Sequence, residues 1–501
     1  MRSLLVLVAL ALLVPAAFAA GPRLIQVPTA SDAMRAEIAG WGMEVVEAEK
    51  DHMTLVVPDD RKSSPKVLRR LTQTDGVRVL ADDVDQMLRS KARAGATGAY
   101  HTVETAQADL KDLATRFPNI ASVQSMGKSI EGRDVMALKI TGGEASAWGK
   151  PVFLFMGCHH AREWISVEVP LSLAHMLVEG YATDAQIKGW VDSREIWICP
   201  IVNPDGLNWS QTNYKYWRKN RHPNADGTFG VDPNRNYSYK WGTSGDSDEP
   251  DSDVYHGTGA FSEVETQNIR DFAKSHLLTT SISYHSYGEH VLFPYSYGYD
   301  QAPDNDKFAG FAKAMADQNG YQPHQSVDLY PSSGDTDDFL YAETGSLSFT
   351  TELAHTFIPA DSEIQPICEL NRKAVRVLID TGAEPFAFIK HTPPAADAGP
   401  LSLTATFDRA HHPTFEPVEV DLVVTSGAQV QTVAMTADAG NPDNYTVKVP
   451  GLSGTSREPV QYFFGLKDKD GRVARSPRLG VFTVKASHAN PTADLLQLTG
   501  F

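Results

Sequence analysis

The chain has 501 residues, with 45 lysines and arginines against 62 aspartates and glutamates, a formal net charge of −17. Such an acidic surplus argues against a protein that tracks nucleic-acid phosphates, which needs a basic footprint. A composition 42% hydrophobic and 9% aromatic excludes a disordered chain, and three cysteines with no C-x-x-C pair exclude a disulfide-dense scaffold.

At roughly 100–200 residues per domain, the length allows about three units. Residues 1–19 read as a secretory signal: Arg2, an apolar run from Leu4 to Val14, Pro15, then the small-residue ending Ala17-Phe18-Ala19. That run is too short to span ~30 Å of hydrocarbon, and no later stretch reaches ~18 uninterrupted apolar residues. The expectation is an exported protein, extracellular or periplasmic, with no membrane span.

From 20 to 95, strands at Leu24–Val27, Met43–Ala48, His52–Val57 and Gly76–Leu80 interleave with helices at Ala30–Ala39 and Ser64–Gln73. Their order is that of the split βαβ, ferredoxin-like unit. The polar stretch Arg89–Gly98 then reads as an exposed linker in which Lys91 and Arg93 offer a cut site to a trypsin-like protease. Between 97 and 390, buried-strand runs (Val152–Met156, Glu195–Ile201, Thr279–Tyr284, Leu347–Thr351) alternate with helical periods (Ala106–Arg116, Val167–Glu179, Glu263–Lys274, Asp306–Asn319). Alternation of this kind predicts an α/β unit, a mixed central sheet flanked by helices, with functional residues at strand ends. A Pro/Ala/Gly linker at 391–400 leads into short alternating strands over 400–487, an all-β sandwich of immunoglobulin or fibronectin-III type.

Several catalytic signatures are absent. There is no H-E-x-x-H and no G-x-S-x-G, and Gly127-Lys-Ser129 lacks the earlier glycine of a P-loop because Ser122 stands there. The segment Gly157-Cys-His-His-Ala-Arg-Glu-Trp164 differs, since it follows a buried strand and precedes a long helix. His160 and Glu163, three residues apart, lie on one side of a turn and reach a common metal. His285 ends the strand Ser281–Tyr284 and is a natural third ligand; a His₂Glu set leaves one tetrahedral position open, as in a catalytic zinc site. Glu352, at the end of Leu347-Ser-Phe-Thr-Thr-Glu352, is a candidate general base.

The segments His160–Trp164, Tyr216–Lys219, Gly230–Asn236, His285–Tyr287, Tyr330–Asp338 and Phe349–Glu352 occur in the order found in zinc metallocarboxypeptidases of the pancreatic carboxypeptidase A/B type, which the chain resembles over about 100–390. This resemblance implies one catalytic zinc on His160, Glu163 and His285, with Asp232 accepting a hydrogen bond from His160 and fixing its tautomer. It implies Glu352 as the base that moves a proton from water to the leaving amine, and Arg218 as the cation facing the developing oxyanion. Asn234 and Arg235 would hold the substrate's terminal carboxylate, Tyr330 would close over the substrate, and Ser286 and Tyr287 would line its site. The ferredoxin-like unit resembles the family's activation propeptide, so a zymogen and an activating protease are expected, acting as a monomer on peptide C-termini.

Asp337, seven residues after Tyr330, falls where the family sets the floor of the pocket for the released side chain. Aspartate there resembles the B type, and Ser296 matches that type's small polar residue, so C-terminal Lys and Arg are the expected guests. Other imidazoles, His159, His256, His290 and His355, read as structural, and Cys158 and Cys199 as small core residues. Five acids between Gly245 and Asp253 suggest a solvated loop or a structural Ca²⁺ site. Broader C-terminal specificity, a zinc deacylase or cell-wall peptide amidase sharing the H-x-x-E…H ligands, and a catalytically dead binding protein are the competing functions.

Overall fold

The computed structural model describes residues 23–29, 31–39, 43–48, 51–57, 71, 74, 76–81, 97–144, 146–393, 400–426, 429–453 and 460–484. The expected leader, most of the helix at 64–73, residues 82–88, and the linker residues 89–96 and 394–399 lie outside these.

Strands β1 (Arg23–Pro28), β2 (Glu44–Ala48), β3 (His52–Val57) and β4 (Arg78–Ala81), with helix α1 (Asp32–Ala39), form an antiparallel sheet in the order β2-β3-β1-β4. Ile25, Val27, Met53, Leu55 and Val57 turn inward to meet Ile38 of the helix. A strand period of two and one helical face thus close this small ferredoxin-like core.

The middle of the chain builds α2 (Val103–Arg116), β5 (Ala121–Lys128), β6 (Asp134–Ile140), β7 (Val152–Gly157), α3 (Ile165–Gly180), α4 (Ala185–Ser193), β8 (Glu195–Cys199) and α5 (Pro204–Thr212). It continues with α6 (Val264–His276), β9 (Leu278–Ser286), β10 (His290–Phe293), α7 (Asn305–Asn319), β11 (Gln322–Gln325), α8 (Thr336–Thr344), β12 (Leu347–Leu353) and α9 (Asp361–Thr381). Among the described residues the central sheet runs β11-β10-β12-β9-β7-β8-β6-β5. The four central strands β12, β9, β7 and β8 are parallel, whereas β10, β6 and β5 join antiparallel. Strand β7 is buried along its whole length: Phe153 and Phe155 face the core that holds α2, α3, α7 and α9, while Val152, Leu154 and Met156 face that of α6 and α8. A strand covered on both faces has to be apolar throughout, as this one is.

Beyond α9, strands β13 (Ile389–Lys390), β14 (Pro400–Phe407), β15 (Pro417–Ser426), β16 (Gln429–Ala434), β17 (Thr436–Ala437), β18 (Asn444–Ser453), β19 (Val460–Asp468), β20 (Val473–Ser476) and β21 (Phe482–Val484) make two sheets. Their orders are β13-β14-β18-β17 and β16-β15-β19-β20, with β21 against β19. Phe407, Phe415, Leu422, Tyr462, Phe464 and Leu466 fill the space between them. Phe388 and Ile389, within the range expected for the α/β unit, belong to this core, and Ile389 and Lys390 pair with Phe407 and Thr406 of β14. No described helix is long and apolar enough to cross a membrane.

Candidate active site

The parallel strands β7 and β9 end side by side, and the site is built at that edge. Gly157 closes β7 so near α3 that a Cβ would sit 2.0 Å from the Ser166 carbonyl oxygen. Cys158 turns the chain at φ +54, its N–H donating to Ser166 Oγ at 3.0 Å. The tight corner presents His160 and Glu163 to His285, the penultimate residue of β9. His160 Nδ1 lies 2.7 Å from Glu163 Oε1, His285 Nδ1 lies 3.0 Å from Glu163 Oε2, and the two Nδ1 atoms are 3.1 Å apart. Donor atoms of all three fall within 4.8 Å of one another, the sole group of three or more such side chains among the described residues. Two imidazole lone pairs converging beside a carboxylate repel one another unless a cation stands between them, so this donor set fits zinc.

A second row of residues holds the first. His160 Nε2 is 3.1 Å from Asp232 Oδ1, while Asp232 Oδ2 accepts from Arg218 Nε and Nη2 at 3.0 and 2.8 Å. Burial opposes the charge on Asp232, yet Arg218 and His160 outweigh it and keep this carboxyl well below its usual range. Arg218 Nη1 stands 4.0 Å from Glu163 Oε1, which aims the guanidinium at the same point as the three ligands. Glu352 sits on β12 in register with His285. Burial, then the charge of Glu163, pushes Glu352 up to about 8, against the pull of His160, Arg218 and Arg235.

Asp232 also caps the short turn Pro233–Arg235 by accepting from the Asn234 N–H at 2.9 Å. Arg235 is pinned by bonds from Nε to the Gly245 carbonyl (2.9 Å) and from Nη1 to the Asn234 carbonyl (2.7 Å), and it bonds the Tyr330 hydroxyl. The Tyr330 ring packs against the core of the N-terminal sheet. Ser286 donates its N–H to Glu163 Oε2 at 3.2 Å, and Tyr287 meets Phe357 edge to face at 4.9 Å.

At the start of α8 three aspartates lie buried together. Asp337 points inward, accepting from Ser348 Oγ at 3.1 Å. Asp338 accepts the backbone N–H groups of Ser296 and Tyr297 at 3.0 and 3.1 Å. Ser296 Oγ donates not to Asp337 but to Asp335, which also caps α8 through the Asp338 N–H. Burial first, and then Asp335, holds Asp337 well above the ordinary carboxylate value. A buried carboxyl of this kind is costly to ionise unless donors or a cation meet it.

Sequence reasoning passed over Asp335, although Gly334-Asp-Thr-Asp-Asp338 crowds three acids into a helix start. His159, expected to be structural, stacks on His285 with ring centroids 5.5 Å apart. Burial, then His285 and His160, keeps His159 far below the ordinary imidazole value, hence neutral. The calcium expectation fails for the 245–253 loop. Asp246 and Asp248 flank His256 at 2.9 and 3.0 Å, and Asp253 faces Arg162 at 3.7 Å, so these carboxylates do not converge. Cys158, Cys199 and Cys368 are free and buried.

An α/β sheet with a His₂Glu cation site at the ends of its parallel strands, and a buried carboxylate alongside, defines a metal-dependent hydrolase. The zinc carboxypeptidase family, peptidase M14, matches residues 106–374. A zinc carboxypeptidase of Saccharothrix mutabilis subsp. capreolus is 32% identical over 388 residues, 71% of this chain and 87% of that one. Carboxypeptidase B of Bos taurus is 31% identical over 360 residues, 67% of this chain and 85% of that one. The crystal structure of carboxypeptidase A from Helicoverpa armigera superposes with a TM-score of 0.64 at 24% identity, covering 72% of this chain and 98% of that one. The chain belongs to the zinc carboxypeptidase family and is a zinc-dependent hydrolase.

Proposed function

We propose that the protein is an exported zymogen whose catalytic unit removes single C-terminal Lys or Arg residues from peptides. The observation that carries this reading is the inward, buried carboxyl of Asp337, grouped with Asp335 and Asp338. Relatives of both the A and the B type match the chain, so family membership leaves the choice to this pocket.

His160, Glu163 and His285 would hold the zinc, which would supply Lewis-acid chemistry for polarising the scissile carbonyl and acidifying water. Asp232 fixes the His160 tautomer. Asn234, Arg235 and Tyr330 grip the terminal carboxylate, a clamp that confines cleavage to the last peptide bond. Arg218, already oriented by Asp232, faces the oxygen on which negative charge develops. Glu352 takes a proton from the water and returns it to the leaving amine; its raised pKa makes it an effective base once ionised. Ser286 and Tyr287 line the entrance. The side chain being released enters beside Ser296 and meets Asp337.

Residues 20–95 act as the activation segment, supported by the packing of Tyr330 against its core. Cleavage near Lys91 or Arg93 by a trypsin-like protease frees it, residues 97–390 are the catalytic unit and 400–487 a further module of the monomer. Reading 1–19 as a signal supports export.

A panel of blocked dipeptides differing in the C-terminal residue, assayed before and after limited trypsin, tests this. Activity should rise on cleavage and favour Arg and Lys, and C-terminally amidated peptides should resist. Asp337→Ile should lose at least roughly tenfold in kcat/KM on Arg substrates, about 1.4 kcal/mol, and gain on Phe. Equal change on both substrates removes Asp337 as the selector.

A further inference from the structure

We infer that His159 is a positioning residue, the middle member of a directional hydrogen-bond chain joining the metal ligand His285 to the carboxylate-binding Asn234. The inference rests on the assignments of His285 and Asn234 just proposed. Because His285 Nδ1 faces Glu163 and His160, the ring proton belongs on Nε2, which lies 2.9 Å from Ser283 Oγ. Ser283 accepts there and passes its own proton to His159 Nδ1, 3.1 Å away. With Nδ1 accepting from Ser283, His159 carries its proton on Nε2, 2.9 Å from the Tyr237 hydroxyl and 3.3 Å from Thr336 Oγ1. Tyr237 in turn bonds the Thr336 hydroxyl. Thr336 Oγ1 donates to Asn234 Oδ1 at 2.7 Å, and the Thr336 N–H donates to the same oxygen at 3.0 Å.

Apart from His159 Nε2, which faces two hydroxyls, each donor in this series has one acceptor, and His285, Ser283, His159, Tyr237 and Thr336 are all buried. Only one proton order satisfies every link, and in the dry interior an unmet link is costly. That order does two things at opposite ends. It holds the His285 ring with Nδ1 toward the cation, as hydrogen-bonded partners of metal-bound imidazoles do. It also occupies Asn234 Oδ1 twice, which turns the Asn234 NH₂ away from Thr336 and toward the substrate carboxylate. The carboxylate clamp and the metal centre therefore share one rigid set of side chains from the corner after β7, from β9, from α8 and from the segment after the Pro233–Arg235 turn.

His159→Leu and Ser283→Ala, singly and together, test the metal end by chelator competition for zinc and by the visible spectrum of the cobalt-substituted protein. Each single change should weaken zinc binding by roughly ten- to hundredfold, with a shifted cobalt spectrum, and the double variant should lose no more than the worse single one. Tyr237→Phe cuts the chain beyond His159 while keeping the ring. It should raise KM several-fold for peptides with a free C-terminal carboxylate and leave zinc affinity unchanged. Should His159→Leu fail to fold, Ser283→Ala and Tyr237→Phe decide alone. Zinc affinity within twofold of wild type in Ser283→Ala, or an unchanged KM in Tyr237→Phe, overturns the inference. His285→Ala separates the two readings: retention of stoichiometric zinc by that variant refutes the ligand assignment itself, whatever His159 does.

Discussion

Glu265 stands in the first turn of α6 with none of its surface exposed, accepting the Ile130 N–H at 3.0 Å and the Asn220 amide at 3.2 Å. Burial lifts its carboxyl from 4.5 to about 7, against the pull of those bonds. A raised folded-state value means the native protein holds this proton where the unfolded chain has released it. The resulting stability is fully present below about 4.5 and is lost as pH rises through about 7. Urea unfolding of wild type and Glu265→Gln should therefore diverge across that window, the variant gaining up to about 3 kcal/mol relative to wild type by pH 8. A pH-independent difference would show that the carboxyl is ionised throughout. The contrast with the metal ligands is instructive for what a sequence discloses. His160 and Glu163 are three residues apart, and His285 and Glu352 each end an apolar run, so local pattern exposes them. Glu265, His159 and Asp335 acquire meaning only from neighbours supplied by distant segments: Ile130 and Asn220, Ser283 and Tyr237, Ser296.

Elements show the same division. The strongly periodic helices and the apolar strands β7, β8, β9 and β12 stand where alternation of apolar residues puts them, to within a few residues. Helix α9 is less legible: Ile364, Ile367, Cys368, Asn371, Val375 and Leu378 form one buried stripe, but Pro366 in its second turn reads as a breaker. Pro170 sits inside α3 in the same way, and packing against the sheet outweighs the lost backbone bond in both. Short α5 has a different origin: it exists because Asn203 starts it. The Asn203 carboxamide oxygen accepts the Gly206 N–H at 2.9 Å, and its NH₂ donates to the carbonyls of His159 and Lys219 at 3.0 and 3.2 Å. One buried side chain thus ties the helix start to the loop carrying His160 and to the strand-like segment after Arg218. Asn203→Ala should lower the unfolding free energy by about 2–3 kcal/mol, about 1 for the cap and the rest for two carbonyls left without partners. Asn203→Asp keeps the cap but not the two donors, so a loss equal to that of alanine would assign the whole effect to the carbonyls.

At the scale of the whole molecule, the sandwich and the α/β unit meet in a packed interface. Phe386 stacks on His411 at 4.5 Å and Phe388 on His412 at 3.6 Å. His411 bonds Asp304 at 2.9 Å and Asp408 at 2.7 Å, one on each side of the junction. Arg478 donates to the Lys150 carbonyl at 2.7 Å, and Trp148 fills the space over Gly465, where a Cβ would lie 2.6 Å from the indole. An interface of aromatic stacks and buried charged bonds couples two units, whereas a tethered module would present a polar, separable face. Among the described residues, the apolar side chain of the catalytic unit that packs on the core of the N-terminal sheet is the loop residue Tyr330. Tryptic activation should therefore remove the N-terminal unit alone. The junction His391-Thr-Pro-Pro-Ala-Ala-Asp-Ala-Gly-Pro400 contains no Lys or Arg, and the preceding Lys390 is paired with Asp408 at 2.9 Å. Mass spectrometry of the activated enzyme should give one product that starts after Lys91 or Arg93 and still carries the sandwich. That product should unfold in one calorimetric transition, because loss of the sandwich would bare Leu277, Phe386 and Phe388 together. Two separated transitions, or a fully active fragment ending near 390, would instead make the sandwich an independent appendage.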